Sequence, residues 1–412
     1  MTKLEERTKR INDAISLKEP DRVPITAQGL SYPALNAGYT VADVFYDYDK
    51  NADSVIKYVT QYEPDNAGLG ITLAGQGPIL ELVQPKNIAW PGAPDKRVPD
   101  DSIHQFIEFA VLHDEDFDFF MEDYTGWLLK KGYPAVSGLL ERFGGWNIAE
   151  QPIESQTKEL FKRLSSPESK ELIQTIWKIT DMYSELDSRR SELIKKLTDL
   201  GFPVLSGGTS RVPFDTFSDY YRGTLDTMMD LYEHPEAIYR FMDRDIESVL
   251  DKITRLSKVN PGKWVFIPLH KGMDGFLTDE QYRDYYWKYL QRIINHIIDV
   301  GMVPNIYTEG PYNSRLEYLA DVPKGKVIYS FEDVDPVRAK EVLGDVACIT
   351  GIFPVYLLHY GTRQEVIDEA KRLIDILAPG GGYLFSTGAG FDHAKPENVE
   401  AMFDTVKTYG KK

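Results

Sequence analysis

Three short apolar runs of this 412-residue chain end on groups that can hold a proton or a metal ion. Lys263–His270 (KWVFIPLH) ends on His270, Val303–Glu309 (VPNIYTE) carries Tyr307 and Glu309, and Lys326–Glu332 (KVIYSFE) ends on Glu332. His270 precedes Lys271-Gly272, so it stands where a strand gives way to a loop. There it could serve as a metal ligand, a general acid or a hydrogen-bonded structural histidine. Glu309, in TEGPY, could bind a metal, or protonate a leaving group if burial raises its pKa. The alternatives are an ion pair with Arg315 or a loop-anchoring acceptor. In the acidic group Glu332, Asp333 and Asp335, the pair Asp335-Pro336 reads as a helix N-cap with Pro in the first turn. That leaves Glu332 as the functional carboxylate. Tyr32, Arg211, Asp274 and Thr387 occupy similar polar tips and are candidate substrate contacts.

Other chemistries are poorly provided for. The single cysteine, Cys348, sits inside VACITG, where packing as a small hydrophobe is the expected role. One cysteine also excludes disulfide frameworks and multi-cysteine metal sites within the chain. Gly380–Gly382 precedes an apolar run, whereas a phosphate cradle leads into a helix. A net charge of −17 argues against nucleic acid and anionic lipid as partners. Mean hydropathy is −0.35, and no apolar run approaches a membrane span. The N-terminus, MTKLEERTKR, lacks a secretory apolar stretch, so a cytoplasmic protein is expected.

The elements that must position these groups alternate in type. Arg22–Ala27, Asn66–Leu73, Pro203–Thr209, Lys263–His270, Val303–Glu309, Lys326–Glu332, Val346–Thr350 and Gly382–Thr387 read as buried parallel strands. Helical stretches separate them. Asp279–Val300 places Tyr282, Tyr286, Tyr289, Leu290, Ile293 and Ile297 on one face, between Thr278 as N-cap and Gly301 as stop. Eight strands alternating with helices predict an α/β fold, a (β/α)8 TIM-type barrel, with function at the strands' C-terminal ends. Residues 74–202, between the second and third strands, exceed what a crossover needs and predict a mainly helical insertion or lid. No linker marks a boundary, so residues 1–412 read as one barrel domain.

Several stretches resemble the uroporphyrinogen decarboxylase superfamily: TKRINDAISLKEPDRVPI, YYRGTLDTMMDLYEHPEAI, LHKGMDGFLTDEQYRDYYWKYL, EGPYNSRLEYLADVPKGKV, CITGIFPVYLLHYGTRQEVIDEAKRLID and PGGGYLFSTGAGFDHAKPENVEAM. They cover most of the chain outside the insertion, in the family's order. The resemblance implies a (β/α)8 barrel. The departures are informative. Decarboxylating members carry Met-Arg-Gln-Ala-Gly-Arg-Tyr after the first strand; here Thr26 to Tyr32 reads TAQGLSY, without either arginine. Their late Gly-His-Gly becomes Gly388-Ala389-Gly390. A tetrapyrrole with many carboxylates needs many cations, and this chain lacks them.

A second branch transfers methyl groups with corrinoid proteins. Its thiol-methylating members use a zinc site from His-x-Cys and a late Gly-Cys-Gly; the matched positions here are Tyr307, Glu309 and Gly381. The resemblance therefore points to the substrate-demethylating members. It implies a methyltransferase that removes the methyl of a small methoxylated donor, an aryl methyl ether for preference, and passes it to a Co(I) corrinoid protein. No Asp-x-His-x-x-Gly motif occurs, so the corrinoid would arrive on that partner. His270, Tyr307 and Glu309 are the expected catalytic groups, and His270 with Glu309 is the place for a zinc ion. The other readings are a decarboxylase of a tetrapyrrole-like acid, or a non-catalytic barrel binding a ligand or corrinoid protein.

Overall fold

Along the middle strands of this protein, side chains of one parity are apolar and face helices, while the other parity faces a central cavity. The computed structural model describes residues 1–144 and 152–411. Six parallel strands run in chain order around the sheet: β1 (Ser206–Thr209), β2 (Trp264–Leu269), β3 (Val303–Pro311), β4 (Ile328–Asp333), β5 (Cys348–Phe353) and β6 (Ser386–Thr387). Val265, Ile267, Leu269, Ile306, Tyr329 and Phe331 point outward into one apolar core shared with the helices, which contribute Phe241, Ile253, Ile293, Ile297 and Leu373. The register sets Phe266 beside Asn305, and Tyr307 beside Ser330 beside Thr350.

The other two expected strands form no ladders, and the second runs into a turn over residues 72–75. Pro24 removes a donor from the first, and three glycines (Gly68, Gly70 and Gly75) loosen the second and the loop after it. A few backbone hydrogen bonds still close the ring: Thr26 N donates to Phe385 O and Phe385 N to Pro24 O, Asp65 N to Ile25 O, and Ala67 N to Pro203 O. Asp65, fully buried, fastens this seam. Its carboxylate accepts from Arg10 at 2.6 Å, from Arg22 at 2.7 and 2.9 Å, and from the Ile25 amide at 2.7 Å. The protein is a TIM-type barrel whose first two positions are irregular. β5 bends where Gly351 and Ile352 both take positive φ, +84° and +73°, and its pairing passes from β4 to β6 there.

Helix signals read from the sequence hold in detail. Thr278 caps with Gln281, Asp335 accepts from the amides of Val337 and Arg338, and Gly301 has φ +78°; Thr362 caps a further helix with Glu365. The helical run from Asp279 widens by one residue per turn over Tyr282–Trp287 before Lys288–Asp299, and all six expected apolar positions are buried. Between residues 74 and 202 the described residues are mainly helical, ending in Ile153–Leu164 and the 33-residue Pro167–Asp199. Residues 145–151 of that insertion lie outside the described residues. No helix among the described residues is long and apolar enough to cross a membrane.

Cys348 is fully buried with Ile11, Ala14, Ile15, Ile328 and Leu384, and burial raises its thiol pKa. A thiol-alkylating reagent should leave the native protein unlabelled and label it once unfolded, as mass spectrometry would show; labelling before unfolding would contradict this packing.

Candidate active site

The segment PFDTFSDYYR, after β1, places Asp215 and Asp219 four residues apart, so both meet the end of β2 from one helical face. Asp215 is fully buried. Its Oδ2 accepts from the His270 amide at 3.1 Å and the Tyr286 hydroxyl at 2.6 Å, and its Oδ1 from the Lys271 amide at 3.0 Å. Burial pushes this carboxyl up to about 6, against the opposing charge of His270. Asp219 Oδ2 lies 2.5 Å from His270 Nδ1, and its Oδ1 3.1 Å from Lys271 Nζ. Burial works against ionised Asp219, yet the bonds from His270 and Lys271 hold it below the usual carboxylate range.

With Nδ1 committed to Asp219, the His270 ring presents Nε2 to Glu309, 3.6 Å from Oε1. Burial alone would lower the imidazole pKa, but the Asp219 bond and the charges of Asp215, Asp219 and Glu309 raise it. The Glu309 carboxyl is raised by burial, then by Glu332 and Asp219, with His270 and Lys271 opposing. Glu332 is held beside it, its Oε2 accepting from the Gly310 amide at 2.7 Å. A histidine and a carboxyl both raised in this way share protons as a unit. Tyr307 lies in the field of Glu332 and Glu309, and burial first, then those charges, raises its phenol. Its hydroxyl donates to Gly388 O at 3.2 Å.

Tyr307 also lines the barrel's central cavity, of about 760 Å³. Bulky branched side chains usually fill a TIM barrel. Here Thr26, Asn66, Asn305, Ser330, Thr350 and Thr387 leave it hollow and share its wall with the rings of Trp264, Phe266 and Tyr307. The rim at Leu69–Ile71 is pinned by Asn51, whose Nδ2 donates to Leu69 O at 2.8 Å and whose Oδ1 accepts from Ile71 N at 3.3 Å. Gly70 makes this possible, since it has φ +88° and a Cβ there would meet Asn51 Oδ1 at 2.0 Å. Asn51→Leu leaves both backbone groups unpaired and should cost about 1–3 kcal/mol. A shifted denaturant midpoint with faster proteolysis at this rim would show it.

The structure thus brings together His270, Tyr307, Glu309 and Glu332, with Thr387 on the cavity wall. It does not bring in the other three. Tyr32 is buried among Tyr58, Tyr62 and Phe391, its hydroxyl 2.7 Å from that of Tyr62, and does not line the cavity. Asp274 accepts from Ser314 N and Oγ and so anchors a loop. Arg211 stacks on Tyr220, 4.0 Å above the ring. Arg315 bonds Leu277 O rather than Glu309. Sequence reading missed Asp215, Asp219, Asn66 and Asn305; the i, i+4 carboxylates were the available signal. It also missed Glu108, from the insertion, 3.8 Å from Lys271 Nζ.

A catalytic zinc takes three protein ligands and keeps one position open. His270 Nε2 and Glu309 supply two, and no group of three His, Cys, Asp or Glu among the described residues could hold an ion. The expected zinc site is one ligand short. What the cluster is equipped to do is hold and move a proton.

A model of the uroporphyrinogen decarboxylase (URO-D) family matches residues 158–409. The chain belongs to that family. A uroporphyrinogen decarboxylase from Azoarcus sp. (strain BH72) is 26% identical over 200 residues, 47% of this chain and 53% of the relative. One from Neisseria meningitidis serogroup C is 23% identical over 224 residues, 52% and 61% of the two chains. This chain therefore spans about half the length of the curated relatives it matches. A methyltransferase from Methanosarcina mazei shares the fold with a TM-score of 0.60 at 14% identity, over 98% of both chains. Family and barrel are the same conclusion reached from two sides.

Proposed function

We propose that this protein is a methyltransferase that takes the methyl group from a small methyl ether and delivers it to a reduced corrinoid carried by a separate protein. The observation that carries the reading is the cavity's neutral lining beside a proton-holding pair. Among the described residues no carboxylate lines the cavity, and the one cation on its wall is Arg190, which is exposed. A substrate with many carboxylates finds no set of counter-charges there. The decarboxylase names of the relatives therefore fit the family better than this cavity.

The corrinoid supplies the electron pair that forms the new bond to the methyl carbon. The C–O bond breaks, its electrons leave with oxygen, and that oxygen needs a proton. Glu309, with its raised pKa, is the donor: it stands two residues beyond the cavity-lining Tyr307 on the same face of β3, so it meets the ether oxygen at the cavity's mouth and not in its wall, and His270, 3.6 Å away, resupplies its proton. Asp219 fixes the ring orientation for this transfer, while Asp215 fixes the backbone that carries the ring. Tyr307 joins cluster and cavity.

The test is incubation with reduced cobalamin and a panel of methyl ethers, read by the corrinoid absorbance spectrum. Methylation with at least one ether is expected. No methylation across the panel, together with carbon dioxide release from a tetrapyrrole acid, would replace this reading with the carboxy-lyase one.

A further inference from the structure

We propose that the ether is a polyhydroxylated ring, a sugar or cyclitol methyl ether, rather than a hydroxyl-free aryl ether. This deepens the methyl-transfer reading and rests on it. The central observation is a set of buried acceptors that the protein leaves unpaired. Asn66 Oδ1, Asn305 Oδ1 and Thr350 Oγ1 have no protein hydrogen-bond partner, and all three residues line the same cavity. Asn66 is 4% exposed and Thr350 5%. They come from different positions around the barrel wall, so a ligand whose hydroxyls displace the wall slightly could pair with them from several sides. Each unmet polar group of this kind carries a cost, which a ligand bearing O–H donors removes. A plain aryl ether brings none.

The remaining features select the same class. The hydroxyls of Ser330 and Thr387 add groups that donate as well as accept, and among the described residues the wall holds no carboxylate. Phe266, 37% exposed although on an inner face, stacks near Tyr307 with ring centres 6.0 Å apart at 24°. These rings offer an apolar platform to the C–H face of a saturated ring. Aromatic platforms with amides and hydroxyls at the edges match a ligand that is apolar on its faces and polar around its rim. The reaction agrees, because the alkoxide leaving an alkyl ether is a much stronger base than a phenoxide and depends more on a proton donor.

Calorimetric titration of the protein with O-methylglucose, a mono-O-methyl inositol, anisole and methoxybenzoate tests this without requiring turnover. At least one hydroxylated ether should bind 10-fold or more tightly than anisole. Thr350→Val, which keeps the side-chain shape, and Asn305→Leu should each weaken that binding about 5- to 100-fold and leave anisole unaffected. The proposal falls if neither hydroxylated ether binds, if anisole or methoxybenzoate binds as tightly, or if both variants bind like the wild type. Methylation of reduced cobalamin by anisole without binding of the hydroxylated ethers would sink this inference and leave the methyl-transfer reading standing. Binding of the hydroxylated ethers with no methyl transfer from any ether would do the opposite.

Discussion

Replacing Glu309 with Gln is expected to lower methyl-transfer turnover by about 10²–10⁴-fold while changing substrate affinity only severalfold. The amide keeps the shape of the side chain but has no acidic proton. Without that donor the departing oxygen must leave as an anion in a half-buried site. The loss should therefore shrink as the leaving group improves: an ether of a nitrophenol should suffer much less than an alkyl ether. The wild-type rate should fall as pH rises through the deprotonation of the His270–Glu309 pair, because burial raises Glu309 and the Asp219 bond, with its neighbouring carboxylates, raises His270. Glu309→Gln should flatten that limb. Asp219→Asn makes a related test, since it frees the ring held at 2.5 Å and removes the charge that supports imidazolium. It should slow turnover and move the limb to lower pH. Equal losses for good and poor leaving groups would assign Glu309 to binding rather than proton donation.

What the sequence shows of this site depends on how local each signal is. His270, Tyr307, Glu309 and Glu332 end apolar runs, and a barrel gathers such ends at one mouth, so a strand count was enough to find them. The caps at Thr278, Asp335 and Thr362 are four-residue patterns and are local enough to be read directly. Tyr32 looks the same as those tips in the sequence. Its burial is set by Tyr62 and Phe391, distant in the chain, and no spacing reveals that. Asp215 and Asp219 were hidden for a different reason. They lie beyond the strand's end on a short helix, and they matter through the backbone and ring of a residue more than 50 positions away. The first two barrel positions lacked ladders because Pro24 and the glycines around Gly70 oppose them; alternate residues still face inward in the first, at Thr26, whereas in the second consecutive residues from Asn66 to Ala74 line the cavity. Hollowness itself was not legible. It follows from small polar residues of several strands falling in the same layers, which is a matter of register.

Asp215→Ala should destabilise the protein by about 3–5 kcal/mol, the largest stability loss expected from any single change in the cluster. Two backbone amides and the Tyr286 hydroxyl would lose their acceptor in a buried place, at about 1–3 kcal/mol each before relaxation. The end of β2 would also lose the carboxylate that clamps His270 and Lys271, so turnover should fall with stability. The pH dependence separates charge from hydrogen bonding. Burial raises the native Asp215 carboxyl to about 6, above its unfolded value. The native state therefore holds that proton more tightly, and the associated stability is complete below about pH 4 and lost as pH rises through about 6. A shift of about two units corresponds to about 3 kcal/mol. Asp215→Asn keeps the shape and does not titrate. Denaturant unfolding of wild type and Asp215→Asn at pH 4.5 and 7.5 should show the amide variant gaining relative to wild type at the higher pH. If the gap stays constant, Asp215 is ionised in the native state across this range, and its three donors outweigh its burial.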